Sequence, residues 1–181
     1  MPTQDSATSR LNSEQSIVVM GVAGCGKSSM GELLAQTVGW PLIEGDAHHS
    51  PLSLDKMRQG IPLNDHDREG WLNRLADILV QAPEPSVLTC SALRRSYRDR
   101  LRSRYPGLRF VFIDITREQA VARVLARPNH FFSSSLVDSQ FATLEPPVGE
   151  NGVLRLDGAL PLEVLLSKVL GWLPMTTIEK G

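Results

Sequence analysis

A chain of 181 residues can build one hydrophobic core and is short for two. Hydrophobic residues make up 41% and charged residues 22%, with a formal net charge of −1, so no global field draws in nucleic acid or an anionic membrane. Aromatics are sparse at 6%, Cys25 and Cys90 have neither metal nor disulfide spacing, and no apolar run reaches the ~20 residues of a membrane span. No basic start leads into an apolar run, so the expected setting is the reduced cytoplasm.

Residues 1–15 are polar and aperiodic, which predicts a disordered leader. Ile17 to Met20 is a β-branched apolar run stopping at glycine, the pattern of a buried parallel strand. Met30, Leu33, Leu34 and Val38 recur at helical spacing between Lys27 and Gly39. Pro41 to Ile43 is a second short strand, and Ser53 to Arg58 a short helix. Asn64 or Asp65 caps a longer helix with Trp71, Leu72, Leu75, Ile78 and Leu79 on its apolar face. Strands follow at Val87–Cys90, Phe110–Ile113 and Val153–Leu156. Between and after them come helices at Arg95–Arg104, about 117–126, and Leu162–Leu173. Serines 133–135 cap a further helix running to about Leu144. The alternation of strand and helix predicts an α/β domain over 16–173, built on a parallel sheet covered on both faces, with a helical lid near 123–148 and a tail at 174–181.

Gly21-Val22-Ala23-Gly24-Cys25-Gly26-Lys27-Ser28 fits GxxxxGK[ST], with a strand before it and a helix after. Glycines let the loop fold back so that successive N–H groups face one anion, and the helix N-terminus adds partial positive charge. Lys27 can reach the β- and γ-phosphates, the Ser28 hydroxyl can hold Mg²⁺, and the site extends to Ser29. In a chain this long the pattern arises by chance roughly once in two hundred. A dinucleotide fingerprint is excluded because Ser29 holds the third glycine position.

A GTPase would need an Asn-Lys-x-Asp base reader, which is absent, and Asp67-Arg68-Glu69-Gly70 has no strand before it. A motor or AAA ATPase would normally need more chain, so the size favours a small-molecule kinase whose lid closes over ATP. Asp46, following the second strand, sits where open α/β sheets bind ligands and can orient an attacking hydroxyl while His49 hydrogen-bonds the acceptor. The plain alternative is an Asp turn with a surface histidine pair. Arg123 and Arg127, four apart on one helix, can meet the transferred phosphoryl group. The basic run from Arg94 to Arg104 reads as a solvated helix face, and Asp65 as part of a helix start.

Together these segments resemble the gluconokinase family, kinases similar in fold to shikimate and nucleoside monophosphate kinases. The resemblance runs from about Ile17 to Leu173. It includes the P-loop, Gly45-Asp46 with His49, Lys56-Met57, and Gly60–Trp71, which matches G-x-P-L-x-D-x-D-R-x-x-W. Cys90-Ser91-Ala92-Leu93-Arg94, Tyr97-Arg98-Asp99, His130-Phe131, Ser139-Gln140-Phe141 and Leu144-Glu145-Pro146 complete it. The family implies ATP and D-gluconate giving 6-phospho-D-gluconate, a P-loop NTPase fold with a five-stranded sheet of order 2-3-1-4-5, and a homodimer. Gluconate is an anion, so Arg58, Arg68 and Arg94 are candidates for its carboxylate, with His130 also at the acceptor. The family usually follows Asp-x-x-His with proline and has asparagine before Lys-Met. Here Ser50 and Ser53 take those places, with proline at Pro51. Two other readings stand beside this one: a same-fold kinase for another acceptor, and an ATP-binding regulator without catalysis.

Overall fold

The computed structural model describes residues 10–11, 15–127 and 133–176. In chain order the strands are β1 (Arg10–Leu11), β2 (Ile17–Met20), β3 (Leu42–Glu44), β4 (Val87–Thr89), β5 (Arg109–Asp114), β6 (Val153–Asp157) and β7 (Met175–Thr176). The helices are α1 (Lys27–Val38), α2 (Pro51–Arg58), α3 (Asp65–Gln81), α4 (Arg95–Arg104), α5 (Arg117–Leu125), α6 (Ser134–Thr143) and α7 (Leu162–Trp172). A 3-10 turn, Gly45–His48, follows β3 directly.

Five strands form one parallel sheet in the order β3-β4-β2-β5-β6. Numbered within that sheet alone the order is 2-3-1-4-5, as the resemblance implied. Central β2 is fully buried at all four residues, and Leu88, Phe110 and Val111 beside it are equally dry. Such strands have two covered faces, hence their continuous apolar runs. Parallel pairing aligns the carboxyl ends of β2, β3 and β4, and the loops that leave those ends make the site.

Helix starts follow local chemistry. Asn64 and Asp67 form a reciprocal capping box on α3, as do Thr116 and Gln119 on α5. Asp67 and its following glycine therefore lie inside a helix, and the GTPase spelling carries no meaning. Ser50 accepts from Ser53 N–H at the start of α2, with Pro51 in the first turn. The two serines that depart from the family pattern are thus a helix cap.

Two expectations need correction. Within the predicted leader, Arg10–Leu11 pairs antiparallel with Met175–Thr176 of the predicted tail, so these residues form a strand pair. The rest of the leader (1–9 and 12–14) and of the tail (177–181), apart from Gln15, lies outside the described residues. The basic run is not a uniformly wet face either: Arg98 is fully buried. Its Nη1 donates to Ala92 O at 2.8 Å and Leu93 O at 3.2 Å, and its Nη2 to Glu145 O at 2.9 Å and Glu150 Oε1 at 2.6 Å. Arg102 holds the other Glu150 oxygen at 2.8 Å.

That network fixes the bend after β4. Ala92 sits at φ 45°, a left-handed conformation costing a non-glycine residue roughly 1–2 kcal/mol, and Arg98 grips its carbonyl. Burial pushes the Glu150 carboxyl up, but Arg98 and Arg102 outweigh it and hold the pKa below its ordinary value. A carboxylate with a depressed folded pKa adds stability above its unfolded pKa of about 4.3, and that stability is lost as pH falls through the folded value. Glu150→Gln should therefore lower Tm at pH 7 and flatten its fall between pH 6 and pH 3. A variant that tracks wild type across that range would contradict this.

Candidate active site

The loop between β2 and α1 forms the floor of an open cleft, the concave shape that small-molecule sites take. Gly21 must be glycine: at φ 145° an added Cβ would lie 2.7 Å from Cys25 Sγ and 2.8 Å from Ile113 O. Gly21 N–H donates to Ser91 O, Cys25 N–H to Val22 O, and Ala23 N–H to Gln140 Oε1 at 2.6 Å. Among the described hydrogen bonds, no protein acceptor serves the N–H groups of Gly24, Gly26, Lys27 or Ser28. These four, on residues that line the cleft, are available to an anion. Lys27 Nζ rests 3.0 Å from both Gly21 O and Val22 O, at the cleft.

The carboxyl ends of β3 and β4 supply the next wall. Glu44 and Thr89 are in register, and Thr89 Oγ1 donates to Glu44 Oε2 at 2.5 Å. Ser28 Oγ donates to the same oxygen at 3.3 Å. Gly45 follows, and only glycine fits: an added Cβ would meet Thr89 O at 2.1 Å. This close approach swings Asp46 into the cleft, its side chain 62% exposed.

His49 stacks on Trp71 with ring centroids 4.2 Å apart, and Trp71 Nε1 donates to Gly45 O at 2.8 Å. The histidine side chain is only 4% exposed, its Nε2 lies 3.5 Å from Asp46 Oδ1, and its buried Nδ1 has no partner among the described residues. Arg68 lines the same cleft and is buried, with Nη1 3.2 Å from Tyr97 Oη. Tyr97 Oη donates to Asp65, which also pairs with Arg94 at 3.2 Å. Burial and the Asp65 carboxylate both raise the Tyr97 pKa, so its proton stays in this chain.

A family model described as an AAA domain matches residues 17–147. The gluconokinase of Gluconobacter oxydans (strain 621H) is 43% identical over 157 residues, covering 85% of this chain and 88% of that one. The thermoresistant gluconokinase of Escherichia coli (strain K12) is 36% identical over 168 residues, covering 91% and 93%. A solved gluconokinase from Sinorhizobium meliloti 1021 superposes with TM-score 0.82 at 47% identity, covering 90% of this chain and 91% of its own. The chain belongs to the gluconokinase family. It belongs equally to the broader family of the AAA-domain model, so a chain of this length does carry that domain, against the expectation that an AAA ATPase needs more chain.

In this gluconokinase-family fold, Lys27, Ser28, Asp46, His49, Arg68 and Arg127 converge on one cleft with Ala23, Gly24 and Gly26. Other expected residues stand elsewhere. Val22 and Cys25 are buried beneath the loop, and Ser29 lies outside the cleft on the first turn of α1. Arg58 is on the exposed end of α2, and Arg94 reaches Asp65, so neither lines the cleft. Arg123 is behind the loop, its Nη1 near Gly24 O at 3.3 Å and Cys25 O at 3.4 Å, its Nη2 on Gly158 O at 2.8 Å. Because α5 ends at Leu125, Arg127 is past the helix and shares no helical face with Arg123. His130 lies outside the described residues.

Sequence reasoning missed Glu44, Thr89 and Trp71. The Glu-Gly-Asp spelling at a strand end hinted at the first and the closing tryptophan of the Gly60–Trp71 motif at the third, while nothing local pointed to Thr89. Burial pushes the Cys90 thiol up to about 12, the Ala92 backbone opposing it. Cys90 should therefore resist iodoacetamide in the folded protein. Labelling as fast as an exposed thiol would contradict that burial.

Proposed function

We propose that this chain transfers the γ-phosphoryl group of ATP to the terminal hydroxyl of D-gluconate, giving 6-phospho-D-gluconate and ADP. The observation that carries the reading is one cleft with two chemically distinct ends. Free loop amides, Lys27 and Arg127 suit phosphates. Asp46, His49 and buried Arg68 suit a hydroxylated acid. Arg68 is the arginine favoured for the carboxylate, since a desolvated guanidinium forms strong charge-assisted bonds. Asp46 orients the attacking hydroxyl and takes its proton, and His49 Nε2, 3.5 Å from Asp46 Oδ1, stands beside it at the acceptor end.

The oxygen-only set of Ser28 and Glu44 fits a hard divalent cation such as Mg²⁺. When bound with ATP, that ion neutralises phosphate charge. Arg123 acts indirectly, by bracing the loop from behind. Two further parts of the reading are a homodimer and a cytoplasmic setting, which two free buried thiols suit. No helix of the described residues is long and apolar enough to cross a membrane.

ADP release measured with gluconate, related sugar acids, shikimate and nucleoside monophosphates tests the acceptor. Selective turnover with gluconate is expected, and selective turnover with another acceptor would overturn the assignment. Arg68→Ala should raise the gluconate KM at least ~10-fold with the ATP KM nearly unchanged, a loss of about 1.4 kcal/mol or more. An effect confined to ATP would move Arg68 to the nucleotide.

A further inference from the structure

Gln140, in the Ser139-Gln140-Phe141 segment of α6, brings its side chain into the site. Oε1 accepts from Ala23 N–H at 2.6 Å across 117 residues of sequence. The partner is a donor, so the carbonyl end of the amide must face the loop and the NH₂ end is fixed by elimination. Gln140 lines the cleft together with Lys27, Ser28, Asp46 and Arg127, and its Nε2 has no acceptor among the described residues. One amide therefore ties α6 to the loop and keeps two N–H donors at the cleft.

The bond to Ala23 fits a lasting tether better than a plug that nucleotide must expel. Loop amides at 21, 23 and 25 are all occupied by protein acceptors, whereas those at 24, 26, 27 and 28 are open. The phosphate-binding set is complete without Ala23. The helix is also anchored beyond its C-terminal end, where Glu145 N–H donates to Leu93 O at 2.8 Å and Glu145 Oε2 accepts from Arg95 N–H at 3.3 Å. Mid-helix, Asp138 pairs with Arg117 of α5.

We infer that Gln140 is a phosphoryl-contact residue: tethered to Ala23 through Oε1, it donates through Nε2–H to the γ-phosphoryl group between nucleotide and acceptor. This rests on the kinase reading above. As the acceptor oxygen bonds to phosphorus, the bond to the bridging oxygen breaks, ADP leaves with that electron pair, and the hydroxyl proton passes to Asp46. Gln140 exchanges no proton and stabilises charge on the transferred group.

Gln140→Glu separates the two halves of the amide, because a carboxylate keeps the acceptor for Ala23 N–H and replaces the donor with negative charge. Titration of ADP and of the non-hydrolysable β,γ-imido analogue of ATP reads the γ-phosphoryl contact without any acceptor. In Gln140→Glu the analogue should bind at least ~10-fold weaker relative to ADP, with ADP affinity and Tm close to wild type. The kcat with gluconate should fall at least ~100-fold. An unchanged analogue-to-ADP ratio would reduce Gln140 to a structural tether and overturn the inference. Tighter binding of both nucleotides by Gln140→Ala would identify a plug and overturn it as well. If wild type ignores gluconate, the acceptor reading fails, while the binding ratio still decides the role of Gln140.

Discussion

Lys27→Ala should lower kcat by at least ~100-fold, corresponding to roughly 3 kcal/mol of lost transition-state stabilisation. The lysine ammonium already lies at the cleft, 3.0 Å from two loop carbonyls. A short swing from those carbonyls brings it onto phosphate oxygens. Phosphoryl transfer asks the protein mainly for position and charge, so a missing cation is not replaced by water in a closed site. Tm should stay near wild type, because the side chain is only half-buried, at the edge of the cleft. Near-normal turnover by a folded Lys27→Ala would remove the loop from the mechanism.

Arg98→Ala should destabilise the fold by about 3–5 kcal/mol, since it strands Glu150 with half its counter-charge and frees the Ala92, Leu93 and Glu145 carbonyls. For a domain of this size that is a drop of roughly 6–20 °C in Tm. Arg98→Lys should recover only part of it, because an ammonium cannot reproduce the planar fork. Differential scanning calorimetry reads both variants. A loss under about 1 kcal/mol for Arg98→Ala would mean that the bend at Ala92 holds without its clamp.

Much of this was legible in the sequence because it is local. Strand runs, caps at Asn64 and Ser133, and the P-loop all declare themselves within a few residues. Arg98 did not, since its partner Glu150 is 52 residues away. A signal was nevertheless present: Tyr97 and Leu101 are four apart and buried, and Arg98 lies beside them on the inward face of α4. Arg123 and Arg127 were paired by helical spacing, but α5 ends at Leu125 and the two separate around the loop.

The acceptor end of the site was harder to read. Arg58, Arg68 and Arg94 are indistinguishable as letters, and only burial against Tyr97 singles out Arg68 for the cleft. Arg94 still bears on that arginine at a distance, through Asp65 and Tyr97. Ser50 and Ser53, which raise the question of substrate, turn out to cap α2 and lie outside the cleft lining.

The decisive measurement follows the phosphorus itself. ATP labelled at the γ-phosphate is incubated with the protein, a divalent cation and D-gluconate, and the products are resolved by ³¹P NMR. A single phosphomonoester on the terminal hydroxyl, formed one-for-one with ADP, is the predicted result. Label appearing as inorganic phosphate, with gluconate unchanged, would contradict the account.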